Sequence, residues 1–206
     1  MKKYLIELIG TFFLVLTVAF SANPIAIGVV LAVMIYMGGY ISGAHYNPAV
    51  TFAVYLQKKI SSKDAVRYVV AQFLGAIAAC FIFHLIKEQI FIVQPGHAYG
   101  FQEALLAEIL FTFALCLVVL NTAVSKENTP NQFYGLAIGG TVMAGAFSVG
   151  SISGGAFNPA VGVAPLLAQI STISQNMSLL ILYIAGPILG AMLASLVFTF
   201  TNTAKE

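Results

Sequence analysis

The sequence predicts an all-α membrane protein with six transmembrane helices and two re-entrant half-helices, arranged as an inverted repeat of two halves. Two observations predict this class. The chain of 206 residues is 60% hydrophobic and only 8% charged, whereas a soluble domain carries about 25% charged residues. It also contains two Asn-Pro-Ala-Val segments, at 47–50 and 158–161. A soluble core of this size would not hide so much apolar surface, so we expect lipid around the outside.

Six apolar runs are long enough to cross the hydrocarbon core of a bilayer, which takes about 20 residues. The first run follows two lysines and resembles a signal peptide, but its length and the later runs favour a retained helix. A charged loop precedes the third run, and Ser62 or Asp64 is the expected cap of that helix. The runs cover 4–22, 26–44, 65–87, 101–122, 132–151 and 178–200.

Two further apolar segments, near 47–57 and 158–168, are too short to cross a bilayer. Each begins with Asn followed by Pro. Asn caps the backbone N–H groups at a helix start, and Pro fits the first helical position because its missing N–H is not needed there. We therefore expect two half-helices whose positive ends face a buried polar site.

Three pairs of motifs recur in the same order along the chain. Glu7 and Glu108 each precede a Thr-Phe pair, the Asn-Pro-Ala-Val segment occurs twice, and Tyr68 and Tyr183 each precede a Gly-Ala pair. The halves, about 1–100 and 101–206, each hold three spans, so they enter the membrane from opposite sides. We interpret 1–206 as one domain whose special site lies at the midplane, where the halves meet.

The distribution of Lys and Arg predicts the orientation. Eight of these nine residues fall on the side that holds both termini, and only Lys87 falls on the other side. The positive-inside rule then places both termini in the cytoplasm. We expect the protein in the plasma (inner) membrane. The first half-helix would enter from the cytoplasmic face and the second from the outer face.

With these features the chain resembles the aquaporin and aquaglyceroporin family, the major intrinsic proteins, over nearly its whole length. The resemblance implies an aquaporin-like right-handed bundle, a homotetramer with one pore per protomer, and passive passage of water or small uncharged solutes such as glycerol or urea. It implies a channel domain without catalysis or cofactor. The motifs that carry the resemblance most specifically are Asn47, Pro48 and Ala49, and Asn158, Pro159 and Ala160.

The physics of two converging half-helices agrees with such a pore. Both positive dipole ends would meet at mid-bilayer and repel a cation that is also losing its hydration. The side-chain oxygens of Asn47 and Asn158 would cap their own helices and leave the NH₂ groups free for a passing solute. The segments 43–46 and 154–157 would present backbone carbonyls to the pore. His45 is the expected pore-lining histidine, and a buried packing histidine is the alternative.

The chain departs from the family pattern at the narrowest point, where four residues usually form a filter. The Arg that usually follows the second Asn-Pro-Ala is replaced by Val161. Ungapped matching places the other three filter positions at Ile27, Ala146 and Gly155. Such a filter would be wide and apolar, so we expect solutes larger than water to enter and the central dipoles alone to exclude protons and cations. An apolar ring that gates by dewetting is the alternative.

The two carboxylates within the spans have two possible roles. A carboxylate at membrane depth is a functional candidate by default, and a proton relay would be that function. The symmetric placement of Glu7 and Glu108 instead favours a structural role, in which each accepts hydrogen bonds from nearby loop backbone.

Other functions remain as alternatives to a channel. The topology permits a secondary transporter of a small solute, but the spans hold almost no charge for a coupling ion. A membrane enzyme and a non-conducting scaffold are further alternatives. With three His and no catalytic spacing we expect no metal site, and the absence of a basic patch argues against nucleic-acid binding. Cys80 and Cys116 are expected to be packed thiols.

Overall fold

The computed structural model describes residues 1–128, 130–169 and 174–202. In these ranges the chain forms eight α-helices, and each predicted run or half-helix corresponds to one of them. All helix ends lie within three residues of the predicted ones. The helices are α1 Lys2–Ser21, α2 Pro24–Ser42, α3 Pro48–Leu56, α4 Ser62–Lys87, α5 Phe101–Val119, α6 Tyr134–Ser153, α7 Pro159–Leu167 and α8 Met177–Asn202.

Six of these helices are long and apolar enough to cross a membrane. The other two, α3 and α7, have nine residues each. Helix α3 lies between the second and third spans, and α7 lies between the fifth and sixth. The predicted all-α membrane fold with two half-helices is therefore confirmed.

The span that begins with α5 ends in a π-helical turn, Leu120–Val124. Two side chains in this turn bond back to the α-helix before it: Asn121 Nδ2 donates to the Leu117 carbonyl at 2.9 Å, and Thr122 Oγ1 donates to the Val118 carbonyl at 2.7 Å. Such bonds compete with the regular backbone ladder, which accounts for the wider turn at this point.

The helix starts follow ordinary capping chemistry. Asn23 Oδ1 accepts from the N–H groups of Ile25 and Ala26 before α2. The predicted cap of α4 was wrong, because Ser61 holds that position. Its backbone is still extended and its Oγ accepts from the Asp64 N–H at 3.1 Å, whereas Ser62 is already helical.

The two halves pack their long helices in the same way. Helix α1 lies against α4, and α5 lies against α8. Gly75 of α4 sits on the backbone of Leu8, and Gly190 of α8 sits on the backbone of Ile109, so closely that a Cβ at either glycine would overlap a carbonyl oxygen. Small residues allow this approach between helices in lipid. These four residues hold equivalent places in the repeat.

Candidate functional site

Each half-helix is reached through a loop with an unusual backbone. The long helix before it is followed by Gly43 or Gly154, with φ of 84° and 89°, in the left-handed region that favours glycine. The residue before each Asn, Tyr46 or Phe157, also has positive φ, 49° and 47°. For residues with a Cβ this conformation costs about 1–2 kcal/mol each, so other contacts must hold the loops.

In the first half the loop is held by Glu7, which is fully buried on α1. One carboxylate oxygen accepts from Ser42 Oγ at 2.7 Å and from the His45 N–H at 2.9 Å. The other accepts from the Tyr46 N–H and from Gln72 Nε2, both at 2.8 Å. All four bonds go to a carboxylate, and such bonds are stronger than neutral ones when the acceptor is ionised.

In the second half Glu108 of α5 holds the loop in the same way. Its Oε1 accepts from Ser153 Oγ at 2.7 Å and from the Ala156 N–H at 3.0 Å, and its Oε2 accepts from the Phe157 N–H at 2.7 Å. Both carboxylates thus hold loop backbone, and neither lines the pore cavity described below. These contacts support a structural role over a proton relay.

A tyrosine caps the end of each preceding helix. The Tyr68 hydroxyl donates to the Ser42 carbonyl at 2.7 Å, and the Tyr183 hydroxyl donates to the Ser153 carbonyl at 2.6 Å. A helix end leaves carbonyls without partners, and at membrane depth no water is present to satisfy them. The recurring Tyr of the sequence is therefore part of the loop support.

The two Asn side chains join the halves of the molecule. Asn47 and Asn158 each accept, through Oδ1, the backbone N–H two residues ahead, at 2.8 Å and 2.9 Å. Asn47 Nδ2 donates to the Phe157 carbonyl at 2.8 Å, and Asn158 Nδ2 donates to the Tyr46 carbonyl at 2.9 Å. The expectation that the NH₂ groups are wholly free was wrong: one hydrogen of each binds the opposite loop, and one is left for a solute.

A narrow cavity passes between the two half-helix starts and is lined by both Asn47 and Asn158. It leaves about 40 Å³ for the centres of water molecules, enough for a few of them at ~10–15 Å³ each. Most of its wall is aliphatic, and none of the described residues on it is charged. The polar side chains on the wall belong to Asn47, Asn158, His45, Tyr46 and Tyr134.

The loop backbone adds acceptors to this wall. The loop residues on the two sides of the cavity are 43–45 and 155–156. Within the described parts of the chain, no hydrogen bond is made to the carbonyl oxygens of these residues. A solute in the cavity can therefore donate to backbone carbonyls and accept from the Asn amides.

Three of the four matched filter positions line the cavity: Ile27, Gly155 and Val161. Val161 lies in the first turn of α7 and is 3% exposed, so its side chain is packed into the wall. Ala146 is not part of the described lining; its Cα lies 3.6 Å from the point a Cβ on Gly155 would occupy. It backs onto the loop, and its place in the filter stays a prediction.

His45 lines the cavity and is oriented by a polar chain behind it. Its Nδ1 lies 3.1 Å from Thr51 Oγ1, which also accepts from Gln72 Nε2 at 3.0 Å. The Thr51 hydroxyl donates its one hydrogen to the Asn47 carbonyl at 3.0 Å, so His45 Nδ1 must be the donor to Thr51. The other ring nitrogen of His45 is then left for the pore.

The sequence reasoning missed three residues near the pore. Gln72 is an amide inside an apolar span, which is itself a signal of function or structure. Thr51 lies one helical turn after Asn47, where its hydroxyl reaches the same face of α3. Tyr134 carried no signal, because a Tyr at a span end is expected to anchor the interface.

Comparison with known proteins agrees with this geometry. A profile of the major intrinsic protein family matches residues 17–198. Aquaporin AqpM of Methanothermobacter thermautotrophicus is 33% identical, over 98% of each chain. Glycerol uptake facilitator protein-like 6 of Lactiplantibacillus plantarum is 35% identical, over 95% of each chain.

A solved structure shows the same fold. The X-ray structure of the aquaglyceroporin from Plasmodium falciparum matches with a TM-score of 0.83, over 98% of this chain and 96% of that chain, at 18% sequence identity. The profile match, the relatives, the six spans and the two bonded half-helices place this chain in the major intrinsic protein family.

Proposed function

We propose that this chain conducts small uncharged solutes of the size of glycerol or urea as well as water. Passive passage of water and small solutes is the activity of the family to which the chain belongs. The observation that carries the wider range of solutes is Val161. It stands where the family usually has Arg, and it lines a cavity on whose described wall no side chain is charged.

The pore works by exchanging hydrogen bonds. A solute that leaves water loses hydrogen bonds and regains part of them from the Asn amides and the loop carbonyls. The aliphatic remainder of the wall offers no polar partners, so it does not hold the solute. A cation gains nothing comparable, because the N-termini of α3 and α7 both present partial positive charge at the same point.

A secondary transporter is the less favoured alternative. A coupled carrier usually needs charged groups at the midplane to bind its ion or proton. Glu7 and Glu108 are engaged by loop donors, and neither lines the cavity. The arrangement therefore supports passive flow.

The finer points of organisation belong to the same proposal. Residues 1–206 form a single channel domain with halves at about 1–100 and 101–206. The protein is a homotetramer in the plasma (inner) membrane, with both termini in the cytoplasm, as the lysine distribution and the family resemblance imply. It performs no catalysis.

Stopped-flow light scattering on proteoliposomes tests the proposal. The wild type should pass water, glycerol and urea, and Val161→Arg should slow glycerol and urea about tenfold while changing water much less, because the guanidinium narrows the filter and adds charge. Val161→Met is the matched control: it is long but uncharged and should slow the solutes less than Arg does.

Two results would contradict the proposal. If the wild type passes water but excludes glycerol and urea, the solute range is wrong. If it passes none of the three faster than protein-free vesicles do, the channel activity itself is wrong.

A further inference from the structure

Two cavities meet at one end of the pore. The pore cavity and a second, more open cavity beside the link between α5 and α6 share three lining residues: Gly43, Ala123 and Tyr134. A residue that lines both cavities lies at the boundary between them, and we take this boundary as the passage out of the pore. Gly43 has no side chain and Ala123 has one carbon. Tyr134 is therefore the one bulky side chain at this passage among the described residues.

The backbone of Tyr134 is held in place by a link between α6 and the π-helical turn that follows α5. Tyr134 is the first residue of α6, and its N–H donates to Asn131 Oδ1 at 3.1 Å. Asn131 Nδ2 in turn donates to the Thr122 carbonyl, in the π-helical turn that ends the preceding span, at 2.6 Å. This link ties the start of α6 to the end of the neighbouring span, so Tyr134 is fixed relative to both walls of the passage.

The ring of Tyr134 is held by α2. It lies edge-on to the ring of Tyr36, with centroids 5.7 Å apart and planes at 68°. Its hydroxyl lies over Gly39, where a Cβ would stand only 2.9 Å from the oxygen. A side chain at Gly39 would therefore displace the ring. These contacts keep the ring at the passage.

The hydroxyl of Tyr134 is available to a solute. None of the described residues makes a hydrogen bond to it, although Tyr134 is half-buried. A phenol can both donate and accept. A solute at this passage would therefore meet one aromatic face and one exchangeable hydroxyl.

From this arrangement we propose that Tyr134 is a specificity-determining residue that forms a second constriction of the pore. It stands at the end that we expect to face the cytoplasm, and its ring limits the size of solute that passes. The inference rests on the channel function proposed above. Selection by size would then occur at this end, away from the filter position at Val161.

Three variants test this inference in proteoliposomes. Tyr134→Ala removes the ring, and Tyr134→Phe removes only the hydroxyl. Tyr40→Ala is the matched control, because Tyr40 lines only the second cavity and is 86% exposed. The measured quantities are the permeabilities to water, glycerol and a five-carbon polyol, at equal protein content and with unfolding temperatures checked in detergent.

We expect the permeability to the polyol to increase in Tyr134→Ala alone. Tyr134→Ala should raise polyol permeability about tenfold, with a smaller effect on water, because a narrow point limits large solutes most. Tyr134→Phe and Tyr40→Ala should match the wild type in polyol permeability.

Each other outcome overturns a defined claim. If the wild type conducts glycerol and Tyr134→Ala leaves polyol permeability unchanged, the constriction at Tyr134 is refuted while the channel stands. If Tyr134→Phe gains as much as Tyr134→Ala, the ring is not the barrier. If the folded wild type and Tyr134→Ala both conduct nothing, the proposed function fails and this inference fails with it.

Discussion

The two loops that lead into the half-helices have similar backbone conformations but differ in the side chains that surround them. Both are held by a buried Glu and a Tyr. In the first half a polar set, Gln72, Thr51 and His45, lies behind the loop. At the equivalent places the second half has Pro187, Gly162 and Ala156. The fold thus depends on the Glu and Tyr anchors, and the extra polar residues are an addition to one half.

The second half replaces hydrogen bonds with apolar packing. Phe157 stacks on Phe111 with ring centroids 5.5 Å apart. Its counterpart Tyr46 lies over Gly10, with its hydroxyl donating to the Met34 carbonyl at 2.9 Å. An aromatic residue with positive φ is therefore supported in both halves, by a ring contact in one and mainly by a hydrogen bond in the other.

This difference between the loops also changes the side chains that line the pore. The polar set of the first half ends at His45 on the cavity wall, whereas the second half presents Ala156, Gly155 and Val161. Of the two loops, only the first carries a side chain on the wall, His45, that can exchange a hydrogen bond with a solute; the second presents backbone and small apolar residues, and the further polar groups on its side come from Asn158 and Tyr134. The apolar Val161 is thus one part of a wider apolar character of the second loop and the start of α7.

The largest loss of stability is expected when one of the carboxylates that hold the loops is replaced by an amide. In Glu7→Gln either orientation of the amide turns NH₂ toward two donors, because each oxygen of Glu7 accepts two bonds. We expect the free energy of unfolding to fall by about 3–5 kcal/mol. In Glu108→Gln the NH₂ can face Phe157 N–H alone, so the loss should be about 1–3 kcal/mol.

Denaturant unfolding in detergent micelles measures both losses. Glu88→Gln, at the exposed end of α4, is the control and should change the free energy of unfolding by less than about 0.5 kcal/mol. Equal losses for Glu7→Gln and Glu108→Gln would break the comparison, because the fourth bond to Glu7 would then contribute nothing.

A smaller loss of stability is expected at Gly162, where α7 packs closely against Tyr183. A Cβ at Gly162 would overlap the ring of Tyr183, so Gly162→Ala should lower the free energy of unfolding by about 1–3 kcal/mol. Gly140→Ala is the control, because nothing lies within 4 Å of its Cβ position. Alanine there should be neutral or gain up to about 1 kcal/mol from helix propensity. Thermal unfolding of both variants decides the point, and an unchanged Gly162→Ala protein would refute the packing argument.

The smallest effect is expected within the polar set of the first half. Thr51→Val removes the acceptor shared by His45 Nδ1 and Gln72 Nε2, and should lower the free energy of unfolding by about 1–2 kcal/mol. Thr51→Ser keeps the hydroxyl and should stay within about 0.5 kcal/mol of the wild type. If Val and Ser behave alike in denaturant unfolding, the hydrogen bonds to Thr51 are not stabilising.

Most of the helical architecture could be predicted because its signals are local. Apolar runs set the spans, and an Asn-Pro start marks each half-helix whatever it packs against. The loop contacts of Glu7 and Glu108 were foreseen from the repeat. The bonds from Asn47 and Asn158 to the opposite loops were not, because the partners lie 110 and 112 positions away.

By itself, then, the sequence determined the class of protein, the eight helices and the inverted repeat. Composition and residue spacing suffice for these, since lipid demands apolar spans and capped helix ends. Only the tertiary structure decided that the Asn amides cross-link the halves, that Gln72 and Thr51 orient His45, and that Tyr134 lines both the pore and the neighbouring cavity. Those relations depend on how the helices are rotated and stacked, which brings together side chains that no local pattern connects.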